Sequence, residues 1–101
     1  MNTAPAMLKP GDKSGTYSLS GGLDFGSVSP LLQQGYDWLG NGAQVQVDLS
    51  GVTHCNSAAI GLLLEWLRQA GLRKTAVRFR NIPGALLEIA RVSDIQDLLS
   101  A

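Results

Sequence analysis

Cysteine and histidine are nearly missing from this chain, each occurring once, as Cys55 and His54. One cysteine cannot close an internal disulfide, and a single His–Cys pair leaves no ligand cluster for zinc. A reducing compartment is the easier fit. Net charge is missing too: eight basic residues balance eight acidic ones. That removes any global pull toward nucleic acid or anionic lipid. The most apolar stretch, Ala58 to Leu64, falls far short of the ~20 residues a membrane span requires. The first ten residues show no basic run followed by an apolar core, so no signal peptide is expected. Gly21-Gly22 lacks the rest of any phosphate-binding fingerprint. The expectation is a soluble protein with no cofactor, no metal, no nucleic-acid partner and no direct membrane insertion.

What is present suits a single folded domain. The 101 residues are 45% hydrophobic and 16% charged, which is a globular rather than a disordered composition. Residues 1–14 hold two prolines and a glycine and read as a flexible N-terminal leader, with the domain proper over 15–101. Thr16 to Ser20 alternates polar and apolar residues as a half-buried strand does. Gly21-Gly22 breaks or bulges it, and Leu23-Asp24-Phe25 resumes as a second short strand. Ser27 or Ser29 caps a helix with Pro30 in its first turn; Leu31, Leu32, Tyr36 and Leu39 follow at helical spacing, and Gly40-Asn41-Gly42 stops it. Gln44 to Ser50 alternates cleanly and is the central strand, followed by a connecting loop over Gly51–Cys55. Asn56 or Ser57 caps a helix to about Ala70, with Gly71 as its stop. A strand over Thr75–Arg80, a helix from Pro83 to about Arg91 and a last helical turn or two over Asp94–Leu99 complete the chain. The order β-β-α-β-α-β-α predicts an α/β fold: a small mixed sheet of about four strands with helices packed mainly on one side.

The helix that opens at Ser57 carries the functional signal. With Ile60 at the centre of one face, steps of about 100° bring Leu63, Leu64 and Leu67 onto that face as a core stripe. Leu62 and Trp66 then fall on the far side near Ala58, Ala59 and Gln69, where an exposed apolar patch is expected. Trp is enriched at interface hot spots, and small neighbours such as Ala58 let a partner approach. Another element of the same domain covering the patch is the competing explanation. Ser57 lies at the positive end of the helix dipole, where a phosphate or an acceptor group is favoured, although taken alone capping by Ser57 or Asn56 is the better account of these residue types.

From Val47-Asp48-Leu49-Ser50 through Gly51-Val52-Thr53-His54-Cys55 to Asn56-Ser57-Ala58-Ala59-Ile60-Gly61-Leu62-Leu63-Leu64, the chain resembles the signature of STAS domains. In that family an apolar strand ends in Asp-Leu-Ser, and a short loop leads to Asp-Ser or Asp-Thr, two small residues and a leucine-rich helix. The likeness runs from about Tyr17 to Leu99 and includes Leu19-Ser20-Gly21-Gly22-Leu23-Asp24. STAS domains serve as anti-sigma factor antagonists, as C-terminal parts of sulfate transporters and as free-standing subunits of phospholipid ABC transporters. Ala59-Ile60-Gly61-Leu62-Leu63-Leu64 looks most like the last group. The resemblance implies a non-enzymatic cytoplasmic subunit of a Gram-negative bacterium, peripheral to the inner membrane. Its partner would be the MlaF-like ATPase of an MlaFEDB-type complex that maintains outer-membrane lipid asymmetry. It also implies a partner-binding set of Asn56, Ser57, Ala58, Leu62 and Trp66. The alternative is an antagonist that binds an anti-sigma kinase and is switched by phosphorylation of Ser57. Antagonists usually carry Asp before that serine. Asn56 keeps capping capacity but removes a negative charge beside the hydroxyl, which favours a constitutive docking surface.

His54-Cys55 does not make a nucleophile–base pair, because neighbours on an extended segment point opposite ways and no third orienting group is evident. No catalytic residue is assigned, and Cys55→Ala is expected to be silent. Asp24 and Asp48 suit turn or cap duties. Arg78 and Arg80 alternate with Val77 and Phe79, so they share one sheet face, where they would meet solvent or an acidic partner.

Overall fold

The computed structural model describes residues 6–39 and 44–92, with side chains given for all of these except 36–39. Four strands and three helices follow in the order β1 (Met7–Pro10), β2 (Thr16–Leu23), α1 (Val28–Leu39), β3 (Gln44–Cys55), α2 (Ser57–Leu72), β4 (Ala76–Arg80) and α3 (Gly84–Val92). The sheet order is β1-β2-β3-β4. β1 runs antiparallel to β2, whereas β2, β3 and β4 are mutually parallel. Two successive right-handed crossovers in one direction place α1 and α2 on the same face of the sheet. Side-chain burial agrees: Val45, Val47 and Leu49 are buried, while Gln46 and Asp48 between them are only half-buried. This is the one-sided mixed sheet expected from the sequence.

Two strands differ from expectation. Residues 7–10, read as part of a leader over 1–14, form the edge strand β1, with Leu8 opposite Leu19 and Pro10 opposite Tyr17. Proline is compatible with an edge because its missing N–H leaves no central ladder bond unmade. The supposed loop Gly51–Cys55 is the second half of β3, and it pairs Gly51 with Ser20, Val52 with Gly21, His54 with Gly22 and Cys55 with Leu23. The register slips between Ser18 and Ser20 and again between Gly21 and Gly22, and each time β3 gains one residue on β2. Such bulges destroy alternation while keeping the strands paired, so the sequence there looks like a loop. Gly21-Gly22 therefore bulges the pairing without ending the strand. Leu23 closes β2, and Asp24 and Phe25 belong to the following turn rather than to a further strand.

α1 begins where expected, with Pro30 in its first turn. Ser27 precedes it, yet its hydroxyl bonds backward, donating to the Gly22 carbonyl at 2.8 Å and accepting from Asp24 N–H at 3.0 Å. α2 runs two residues past Ala70, and the left-handed residue after it is Lys74, with φ of 57°. The expected stop over Gly40-Asn41-Gly42 and the helical turns over Asp94–Leu99 lie outside the described residues.

Candidate docking surface

The β3–α2 junction is built around Asn56. Its backbone is extended, and its side-chain Oδ1 accepts from Ala58 N–H at 2.9 Å, which satisfies one of the orphan donors of the first turn. Its own N–H donates to the Leu23 carbonyl at 3.1 Å, tying the start of α2 to the end of β2. Capping thus belongs to Asn56, and Ser57 is released from it. Ser57 is exposed, and its hydroxyl bonds to none of the described residues. It projects at the positive end of a sixteen-residue helix with no acidic residue in the first turn.

Leu62 and Trp66 are not on the surface. They are 1% and 0% exposed, and Ala58 beside them is 7% exposed. The core stripe of α2 is centred on Ala59, Leu63, Trp66 and Ala70, at the 4-3-4 spacing of one helix face, with Ile60 buried on one flank and Leu62 on the other. Leu64 and Leu67, placed in the core stripe by the leucine count, are only half-buried. The indole of Trp66 packs onto α1 at Gly35, where an added Cβ would lie 2.6 Å from Cε2. A glycine in mid-helix is normally unfavourable, and here it opens the space that the tryptophan fills. The competing explanation of the apolar patch, coverage from within the domain, is therefore correct. What the first three turns of α2 offer to solvent is Ser57, Gly61 and the Glu65–Arg68 ion pair, with Arg68 Nη2 2.6 Å from Glu65 Oε1.

A second wall stands beside this helix start, at the C-terminal ends of β2 and β3. Asp24 Oδ1 accepts from Gly26 N–H at 2.9 Å and from Ser27 N–H at 3.1 Å, the turn duty expected of it. Its Oδ2 lies 3.8 Å from His54 Nε2, both side chains being about half exposed. The imidazole covers Gly22, where a Cβ would come within 2.7 Å of Nε2. At the tip of the Asp24–Ser27 turn, Phe25 is 73% exposed. Sequence reasoning missed it by extending the strand through Phe25. The readable signal was the Asp-x-Gly-Ser turn around it.

Among the described residues, His54 and Cys55 do not form a nucleophile–base pair. Burial pushes the Cys55 thiol up, the opposite of what a nucleophile needs. His54 faces Asp24 rather than a hydroxyl or thiol. Among the described residues no group of three His, Cys, Asp or Glu is placed to hold a metal, and no helix is long and apolar enough to cross a membrane. Arg78 and Arg80 are exposed on the uncovered sheet face, where Arg80 reaches Gln46 at 3.4 Å.

Comparison with known proteins finds the same fold elsewhere. No curated protein sequence matches the chain significantly. Among solved structures, a chain of the Acinetobacter MlaFEDB complex in its ATP-bound Vtrans2 conformation is 28% identical. The match covers 85% of this chain and 92% of that one, with a TM-score of 0.73. The anti-sigma factor antagonist SpoIIAA in its unphosphorylated form shares the fold at 14% identity, over 93% of this chain and 84% of that one, with a TM-score of 0.71. An anti-sigma factor antagonist from Mycobacterium paratuberculosis does so at 19% identity, over 93% and 80%, with a TM-score of 0.65. The family model described as Mlab, STAS domain, matches residues 7–100, and the chain therefore belongs to the STAS-domain family.

Proposed function

We propose that this chain is the STAS subunit of an MlaFEDB-type phospholipid ABC transporter, docked on its MlaF-like ATPase and supporting assembly and activity of the complex. The observation that carries this reading is the 28% identity to a chain of an MlaFEDB complex over 85% of the sequence, within a family model described as Mlab. The surface around Asn56 and Ser57 suits constitutive docking, because the cap is made by a neutral Asn and the adjacent hydroxyl is left open. Ala58, Leu62 and Trp66 act from beneath, holding the first two turns of α2 in place rather than meeting the partner as an exposed patch. The subunit would sit in the cytoplasm, peripheral to the inner membrane through the transporter. Its effect on the ATPase would be allosteric, which requires tighter binding to the assembled, competent state than to the alternatives.

The antagonist reading keeps one observation in its favour: Ser57 is exposed and uncapped, as a phosphorylatable serine must be. Affinity capture from detergent-solubilised host membranes separates the two readings. Wild type is compared with Ser57→Arg/Gly61→Arg, which places long cations on two exposed positions and leaves the core intact. Recovery of an ABC ATPase with wild type, lost in the folded variant, supports the transporter reading. Recovery of a soluble kinase instead, or of no ATPase at all, sinks it.

A further inference from the structure

Phe25 is the one exposed aromatic among the described side chains. It has not simply been left at the end of a loose loop. The turn beneath it is cross-tied by the Asp24 carboxylate, which accepts from Gly26 and Ser27, and by the Ser27 hydroxyl, which donates to Gly22. With the backbone held, only the ring's two side-chain torsions remain to be ordered on binding, so the entropic cost of engagement is small. The turn is also continuous with the start of α2. Leu23 accepts from Asn56 N–H at 3.1 Å, and Asp24 lies 3.8 Å from His54, two residues before Asn56. An exposed apolar ring on a turn that also carries the half-exposed Asp24–His54 pair, and that is tied to the start of the helix bearing exposed Ser57, offers the two components of an interface centre, an aromatic anchor and polar neighbours.

We infer that Phe25 is the apolar anchor of the docking surface and inserts into an apolar socket on the ATP-hydrolysing subunit that covers Ser57. This rests on the docking reading above, and it names a contact that Ser57 alone cannot supply, since a hydroxyl orients a partner but buries little area. One patch then offers both kinds of recognition: a ring to bury and a hydroxyl at a helix N-terminus to fix register.

The test immobilises the purified ATPase subunit of the host's MlaFEDB-type transporter and titrates the full chain by biolayer interferometry. Phe25→Ala is expected to weaken binding about thirty-fold or more, the loss typical of a hot-spot aromatic, with Phe25→Leu losing less. Leu72→Ala, at the other end of α2 and 69% exposed, controls for general stickiness and is expected to bind as wild type does. Thermal midpoints of all three variants should match wild type, since both positions lie in solvent. If wild type binds and Phe25→Ala binds equally well, the anchor is overturned and the docking reading stands. If wild type does not bind the ATPase, the docking reading falls and the anchor with it. Self-association abolished by Phe25→Ala would also overturn the inference, because it would assign the ring to a second copy of the chain.

Discussion

Gly35 and Trp66 show how one missing side chain sets the position of a large one. The indole lies against the bare backbone of α1, fully buried, in space that a Cβ would occupy. Gly35→Ala gains helix propensity but drives a methyl into a rigid ring, and the overpacking should win at about 1–3 kcal/mol of lost stability. Urea unfolding midpoints measure this, and a midpoint equal to or above wild type would refute the packing account. Asp48 is a second case. Its carboxylate is held below its ordinary value of 3.8 chiefly by the Asn81 side-chain hydrogen bond at 3.0 Å, then by Ser50 N–H at 2.9 Å. A lowered folded-state pKa means that the unfolded chain binds the proton more readily, so this contribution is present above pH 3.8 and is lost as pH falls through the lower folded value. Stability of Asp48→Asn should therefore depend less on pH than wild type in the acid range below 3.8, which unfolding midpoints taken across that range would show.

α2 is the element where sequence and structure part most instructively. Its start and, to within two residues, its length were readable from Asn56-Ser57 and the apolar run, because capping chemistry is local. Its orientation was not. A wheel centred on Ile60 favours the many leucines, whereas the buried line runs through Ala59, Leu63, Trp66 and Ala70, two of which are small enough to be discounted. Periodicity gives the angle between residues but not which neighbours will close over them, and the signal that would have settled it sits in another helix, at Gly35. β3 hid its second half for a similar reason, since two bulges removed the alternation on which strand reading depends. The junction itself makes a sharp prediction. Asn56→Ala removes the side-chain cap of α2 and should cost roughly 1 kcal/mol, within a range of about 0.5–2. Ser57→Ala should change stability by no more than about 0.5 kcal/mol. Equal losses in denaturant unfolding would mean that the two residues share the cap.

At the scale of the molecule, the chain order was legible because strand–helix alternation and right-handed crossovers leave few options, and this gave the one-sided sheet. The edge was not legible. Two prolines and a glycine near the start look like a leader, and only pairing with β2 shows that residues 7–10 complete the sheet. Deleting residues 1–10 should lower the urea midpoint and leave the Tyr17–Ser20 stretch of β2 as an open edge, a template for association. Light scattering of the truncated chain should report larger species than the full chain; an unchanged monomer with an unchanged midpoint would show that β1 contributes nothing.

The division of labour between Asn56 and Ser57 also bears on how such a domain changes over generations. Because the cap belongs to one residue and the neighbouring hydroxyl holds up nothing in the fold, position 57 can drift through small, charged or modifiable residues without crossing a stability threshold. Under the docking role proposed for this position, a lineage could exchange one partner for another, or a permanent contact for a switchable one, by single steps that each leave a folded protein.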